Sequence, residues 1–497
     1  MNLSRYFVRK PMATIIAESS NQDLKRSLNA LNLVSLGIGC IIGAGIFVLT
    51  GQAAAQYAGP AIILSFILSG LACTFAALCY AELASVLPVS GSAYTYAYAT
   101  LGESVAWAMG WLLILEYGLA SATVAVGWSG YVVSFLKDFG LIIPHELAQP
   151  YFDLVTDPAN PGKMILAATG HFNLPAFLGI MGVTTLLVIG ISESAKVNNF
   201  IVMVKLTVVA LFIIIGAFYV NPSNWHPFIP DNIGPGRYGF DGILKAAGVI
   251  FFAYIGFEAV STAAQESQNP QRDMPIGILG SLAICTILYM LVAGVLTGIV
   301  PYKELNVADP MAVAIDRINI AWLTIGSWRL LPMLIKLGAV MGLSSVMLVL
   351  VYGQTRIFYM MGKDGLIPAI FCKLHTKFKT PYINTIIVGV VVAIAAGFTP
   401  ISVLGNLVSM GTLFAFCIVC FSVMFLRWTH PELKRTFKTP FMPVVPILGI
   451  LACGYLIFGI GKDIFIALRY YFLAGVLVYF LYGQFNSKIA KAAKVIE

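Results

Sequence analysis

Apolar residues along this chain gather into long runs, and polar residues are largely confined to the stretches between them. Such runs suit the ~30 Å hydrocarbon core of a bilayer, which a helix crosses in roughly twenty residues. They predict helical spans at 31–55, 60–86, 104–136, 173–191, 199–220, 241–264, 276–300, 330–361, 383–398, 402–427, 443–461 and 466–484. After the second span, the aromatic-rich stretch Ser90-Gly91-Ser92-Ala93-Tyr94-Thr95-Tyr96-Ala97-Tyr98 is expected to start helically along the membrane interface. Residues 137–171, with Pro144, Pro150, Pro158 and Pro161, form the longest polar interval. Residues 301–329 read as an amphipathic loop with helix-like pieces. The expectation is an all-α polytopic membrane protein with twelve transmembrane helices.

Composition agrees. Only 10% of the 497 residues are charged and the mean hydropathy is +0.88, whereas a soluble domain carries ~25% charged residues. The net charge of +8 sits in loops and tails. It therefore reports topology and not nucleic-acid binding. With twelve spans both termini share one side, which receives 19 Lys and Arg against 9 on the other. That excess places both termini in the cytoplasm and the chain, as a multi-pass protein, in the plasma membrane. Residues 1–29 are polar, so no cleavable signal peptide is expected. Seven of the eight cysteines lie in apolar runs, which is no disulfide framework. Cys417 and Cys420 form a C-x-x-C within a span, read as packing and not as a redox or metal site. The five histidines lie in loops or at helix edges. No metal and no cofactor is expected.

The first span carries glycines at 37, 39, 43 and 45 within Ser35-Leu36-Gly37-Ile38-Gly39-Cys40-Ile41-Ile42-Gly43-Ala44-Gly45-Ile46-Phe47. Each costs ~1 kcal/mol of helix propensity relative to Ala. The run reads as two half-helices meeting near mid-membrane, with backbone exposed between them. Unwound backbone is tolerated there only within protein or around a polar cavity. The N-terminus of the second half can hold an anion, and freed carbonyls can hold a cation. A free amino acid offers both charges. The alternative is a packing face, because Gly39-Cys40-Ile41-Ile42-Gly43 matches the G-x-x-x-G helix contact. In the sixth span, Phe252-Ala253-Tyr254-Ile255-Gly256-Phe257-Glu258 places a glycine and a carboxylate near the middle. The first and sixth spans hold matching positions in two groups of five, the arrangement of inverted-repeat transporters. Ionisable residues inside a membrane are costly and usually functional. Glu116, Glu258 and Lys205 are therefore candidates. Lys336 and Glu82, near span ends, are expected to snorkel to the surface.

These residues resemble a known family. Gly37-Ile38-Gly39-Cys40-Ile41-Ile42-Gly43-Ala44-Gly45-Ile46-Phe47 is similar to the substrate-binding break of the amino acid–polyamine–organocation superfamily. Tyr254-Ile255-Gly256-Phe257-Glu258 is similar to its sixth-helix break, and Asn269-Pro270-Gln271-Arg272-Asp273-Met274-Pro275 to the loop that follows. Pro88-Val89-Ser90-Gly91-Ser92-Ala93-Tyr94 and Tyr352-Gly353-Gln354-Thr355-Arg356 add further matches. Glu116-Tyr117-Gly118-Leu119 and Lys205 resemble the bacterial branch of the cationic amino acid transporters. The resemblance runs from about residue 25 to 485.

It implies a LeuT-like fold of two inverted five-helix repeats, 30–220 and 221–427. Two extra helices follow in 428–485, between cytoplasmic tails 1–29 and 486–497. It implies that the N–H groups of Gly43, Ala44 and Gly45 hold the substrate carboxylate. The carbonyls of Ile41, Phe252, Ala253 and Ile255 would hold the ammonium, with the Phe252 ring as a gate. Glu116 and Glu258 would face the substrate side chain. Lys205, with Ser344 and Ser345, would carry the coupling proton. Cationic relatives often have an acidic pair in the sixth helix, where this chain has Ala264-Gln265-Glu266 after Glu258. Cationic and small neutral substrates both stay open. The reading is proton-coupled import of an L-amino acid, with an exchanger without net proton flow as the alternative. A channel lacks support, because no repeated pore loops or charge rings are visible. An enzyme lacks a metal motif or a Ser/His pairing. Partners are the L-amino acid, the proton and membrane lipid. Nucleic acid is excluded, and a small membrane subunit stays open.

Overall fold

The apolar runs fold as helices because no water is available inside a bilayer to satisfy the backbone in any open form. The computed structural model describes residues 8–12, 15, 28–89, 92–157, 160–190, 195–318, 324–325 and 328–491. Most of the predicted 1–29 tail, Ser90, Gly91 and the last residues of the 486–497 tail lie outside the described residues. Helix α1 (Ala30–Ile41) opens on a reciprocal cap. The Asn29 side chain accepts from the Asn32 N–H at 2.9 Å, and that of Asn32 from the Asn29 N–H at 3.2 Å. The run resumes over Gly45–Ala58 in wide π-type and α-type turns. Helices α2 (Ile62–Val86), α3 (Ser92–Thr100), α4 (Glu103–Asp138), α5 (Leu174–Ile189) and α6 (Ala195–Ala217) follow. Helix α7 (Gly239–Ile250) tightens into a 3-10 stretch, Phe251–Tyr254, breaks, and resumes as a 3-10 segment at Glu258–Glu266. Then come α8 (Pro270–Ile299), α9 (Pro310–Arg317), α10 (Leu330–Lys363), α11 (Tyr382–Phe398), α12 (Ile401–Thr429), α13 (Val444–Ile460) and α14 (Lys462–Val478).

Among the described residues, eight helical stretches are long and apolar enough to cross a membrane, while α1, α5, α11 and α13 are apolar but shorter. Helix α4 packs along α10 and α12, and α1 and α2 pack on α8. The outward faces of α11, α13 and α14 expose Val391, Leu451, Phe458, Leu473 and Leu477. Such a face suits lipid, which is as apolar as leucine.

Three expectations are corrected. The chain is not purely α: within the polar interval, β1 (Phe152–Asp157) pairs antiparallel with β2 (Asn160–Ala168). Prolines at 158 and 161 disfavour a helix there, and two short runs flanking a turn-rich sequence read physically as a hairpin. Helix α3 does not lie along the protein surface, because every residue from Ser92 to Thr100 is buried. Two of its tyrosines find partners instead: Tyr94 donates to Asp364 at 2.8 Å and Tyr98 to Glu103 at 2.9 Å. Nor do Lys336 and Glu82 snorkel. Lys336 is 1% exposed and sits 2.8 Å from Asp138 and 3.0 Å from Asp316. Glu82 accepts from Arg427 at 2.8 and 2.6 Å and from the Thr439 N–H at 2.7 Å. Burial of such charges is tolerated because each is paired.

Lys10 and Lys488, from opposite parts of the chain, meet at Asp364. The Lys10 ammonium donates to Asp364 at 3.0 Å, and the Lys488 N–H donates to the Asp364 carbonyl at 3.0 Å. Tyr479 and Ser487 both donate to the Glu103 carboxylate.

Candidate functional site

Two interruptions of the helices face each other inside the bundle. Helix α1 ends at Ile41, and Ile42 leaves the helix with ψ 95°. The sixth run leaves it at Ile255, ψ 133°, followed by Gly256 at φ +120°. That left-handed conformation favours glycine. A Cβ on Gly256 would lie 2.8 Å from the Cys40 carbonyl carbon and 2.9 Å from its oxygen. A Cβ on Gly45 would overlap the Cα and Cβ of Ala253. Each break therefore seats its glycine on the other chain segment. The packing alternative holds for the earlier glycines, within regular α1: Gly37 abuts Ser281 and Val260, and Gly39 abuts Val202 and Asn198. At Gly43 an added Cβ would meet the Val346 methyls at an ordinary 3.4 Å. Gly45→Ala is accordingly expected to destabilise by about 1–3 kcal/mol, the cost of overpacking, and Gly43→Ala much less. Thermal unfolding in detergent checks the pair, and equal melting temperatures would remove the close-approach argument.

The carbonyls released at the breaks have partners. The Tyr289 hydroxyl of α8 lies 2.7 Å from the Ile41 oxygen and 2.8 Å from the Ala253 oxygen. It bridges the two breaks at two of the carbonyls expected to hold an ammonium. The Phe252 carbonyl accepts from the Ile255 N–H at 3.2 Å, and the Phe252 N–H donates to Ser409 at 3.1 Å. The Phe252 residue is 5% exposed. Gly43, Ala44 and Gly45 lie where the second half of the first run begins, and the first N–H groups of a helix have no partner inside it. The hydroxyl has one hydrogen to divide between the two carbonyls, so Tyr289→Phe would remove one donor from the pair, at about 1–3 kcal/mol. A lower melting temperature is expected, and an unchanged one would show that water or other donors replace the hydroxyl.

Lys205 of α6 is fully buried, and its ammonium donates to the Gly39 carbonyl at 2.7 Å. Its stem lies on α10, where a Cβ on Gly342 would be 3.0 Å from Lys205 Cγ. It thus touches α1 and α10 together. Ser345 is buried on α10. The neighbouring Ser344 faces α4 instead, accepting from the Trp128 indole at 2.9 Å and donating to the Val340 carbonyl at 2.8 Å.

The two candidate carboxylates come together. Glu258 Oε2 accepts from the Gly256 N–H at 2.8 Å, which holds the break in shape. Buried Glu116 lies beside Glu258 and Thr412, within side-chain hydrogen-bonding reach of both. The Tyr80 hydroxyl is buried beside the two carboxyls. Sequence reasoning missed Tyr289, Tyr80, Thr412 and Trp128, because a hydroxyl or indole within an apolar run gives no periodic signal. All eight cysteines are free thiols. Among the described residues no group of three His, Cys, Asp or Glu could hold a metal.

Residues 28–470 match the family model described as amino acid permease. The chain belongs to the amino acid permease family. This permease is 44% identical to the methylthioribose transporter of Bacillus subtilis, over 98% of its own length and 100% of the relative's. It is 45% identical to the branched-chain amino acid permease BcaP of the same organism, over 97% of its length and 98% of the relative's. The vacuolar cationic amino acid transporter 4 of Arabidopsis thaliana is 37% identical over 84% of the permease and 66% of the relative. The relatives are named transporters and permeases, so the permease is a transporter and not an enzyme.

Proposed function

We propose that this permease imports L-amino acids, cationic or small neutral, with protons across the plasma membrane. Transport would run by alternating access between two inverted repeats, 30–220 and 221–427, carrying two further spans in 428–485. With α1 joined to Gly45–Ala58 and α7 to Glu258–Glu266, the long and short apolar helices would supply the twelve spans of this reading. Even parity and the Lys/Arg excess favour cytoplasmic termini, and Lys10 and Lys488 both contact Asp364.

The observation that carries the reading is the pair of facing breaks, with buried Lys205 bound to the last turn before the first of them. A helix N-terminus supplies N–H groups for a carboxylate, and released carbonyls supply acceptors for an ammonium. Phe252 would cover the bound substrate. Lys205 would join the first span to the eighth while protonated. The names of the relatives span branched-chain, cationic and methylthioribose cargo. Amino acids are favoured because the breaks offer groups for both backbone charges.

The test is uptake of radiolabelled amino acids into proteoliposomes that contain none inside, with an acid exterior. Accumulation that collapses with a protonophore supports import coupled to protons. Uptake that requires preloaded amino acid and ignores the pH gradient would make the permease an exchanger.

A further inference from the structure

We propose that a groove lined by the start of α4, α12 and α13 binds one acyl chain of an anionic phospholipid, whose phosphate rests on Arg9. Along α12, Cys417, Ile418, Phe421 and Phe425 recur at spacings of one, three and four, which sets them on one stripe of a helix. That stripe faces outward, whereas the neighbouring Val419, Cys420, Val423 and Leu426 are buried. With Leu101, Val105 and Ile450 of α13 it encloses a groove of about 560 Å³. Phe421 is 49% exposed, so the groove opens sideways toward the bilayer.

Arg9 lines the same groove. The chain on either side of it is pinned: the Glu103 N–H donates to the Val8 carbonyl at 3.0 Å, and the Lys10 N–H to the Tyr98 carbonyl at 3.2 Å. Lys10 is buried on Asp364, while Arg9 is exposed and its guanidinium lies over the Phe425 ring, 4.8 Å from the centroid. No carboxylate among the described residues pairs with it. Phe425 lies four residues before the end of α12. From there to Cys417 the apolar wall runs roughly 12 Å toward the middle of the helix, at 1.5 Å per residue. A fixed cation therefore stands at the surface end of an apolar channel.

Charge at the surface and apolar length inward are the two halves of an amphiphile. The Phe425 ring takes the face of the guanidinium and leaves its in-plane N–H groups for a phosphate, which arginine pairs through two parallel bonds. A free phosphate would use the guanidinium but not the wall. A zwitterionic lipid would bring its own cation to Arg9. An anionic phospholipid uses both halves. The groove also backs onto the helix that steadies the second break. From α12, the Ser409 hydroxyl accepts from the Phe252 N–H at 3.1 Å, and the Phe416 ring packs 5.5 Å from Phe251 and 5.2 Å from Phe257. Cys417, next to Phe416, lines the groove. A chain that fills the outer side of that turn supports these contacts from behind.

The experiment measures lipid retention by the detergent-purified full-length permease in native mass spectrometry. Phosphatidylglycerol and phosphatidylcholine of identical acyl chains, and oleate, are supplied as separate ligands, and melting temperatures are recorded with each. Wild type should hold one phosphatidylglycerol about fivefold more tightly than phosphatidylcholine, the weight of one basic residue at an anionic surface. It should also melt higher with phosphatidylglycerol, by mass action. Arg9→Gln should lose the preference, and Arg9→Lys, which keeps the charge, should retain most of it. Ile418→Trp fills the groove and should weaken retention of both phospholipids. Should that variant fail to fold, Val105→Phe blocks the same space. Equal retention of the two phospholipids by wild type, or an unchanged preference in Arg9→Gln, overturns the site. Unchanged retention in the groove-filled variant would leave the lipid on the outer surface and overturns the groove. Tighter retention of oleate than of phosphatidylglycerol would give the groove to a free fatty acid and overturns the phospholipid.

Discussion

Lys205→Ala permease is expected to bind substrate but not to concentrate it when the outside of a proteoliposome is acid. The accumulation ratio should fall to about one, while wild type exceeds it several-fold under the same gradient. The reason lies in what the amine holds. Lys205 is fully buried, so it does not reach a membrane surface, and it donates to the Gly39 carbonyl at 2.7 Å in the last turns of α1. Its stem rests on α10 at Gly342. A charge-assisted hydrogen bond is roughly twice as strong as a neutral one. Losing the proton therefore weakens a join that runs from α6 to α1 beside the break. Release of that join would let the segment before the break move. Alanine removes the join in both protonation states and uncouples movement from the proton. Lys205→Met keeps most of the packing volume and should behave alike. Its melting temperature separates lost coupling from a cavity, since truncation of a long buried side chain costs stability of its own. A Lys205→Met protein that still accumulates substrate under an acid exterior would falsify the coupling role.

Much of this architecture was legible before any coordinates, for a physical reason. A bilayer forces apolar length, so the runs predict helices, and α2, α4, α10 and α12 lie within a few residues of their expected bounds. The breaks were legible because glycine and an intramembrane carboxylate are both costly in a lipid-spanning helix, and cost marks position. Their contents were only half legible. At Gly39 and Gly45 the same residue type serves different ends, packing on α6 in one case and on the Ala253 backbone in the other. Only the fold decides which. Tyr289 was invisible because its partners, Ile41 and Ala253, lie 248 and 36 residues away. Lys336 failed in the same way: snorkelling is a property of an isolated helix, and Asp138 and Asp316 come from other segments of the chain. The buried α3 marks the limit of composition, since a tyrosine-rich stretch reads as interfacial until Asp364 and Glu103 are found to receive its hydroxyls.

Glu116→Gln is expected to separate substrates by charge, lowering transport of lysine or arginine about 100-fold and that of alanine only a few-fold. The substitution preserves shape and removes the charge. Glu116 is buried with Thr412 and Glu258 within side-chain hydrogen-bonding reach, and the isosteric amide can still accept from the Thr412 hydroxyl and donate to Glu258. A cationic side chain entering the site would lose its fork-shaped counter-charge. An unpaired charge near mid-membrane costs about 2.5–3.5 kcal/mol, and 1.4 kcal/mol is a factor of ten, which sets the hundredfold expectation. Glu258 remains in the variant, but its Oε2 is committed to the Gly256 N–H at 2.8 Å, so it compensates only in part. Glu258→Leu should behave differently. It takes away the acceptor that holds Gly256 in its left-handed turn, and transport of both substrate classes should fall together. Initial rates of labelled lysine and alanine uptake, measured at matched protein density, give both comparisons. Equal losses of lysine and alanine transport in Glu116→Gln would reassign that carboxylate from the substrate to the helix packing between α4 and α12.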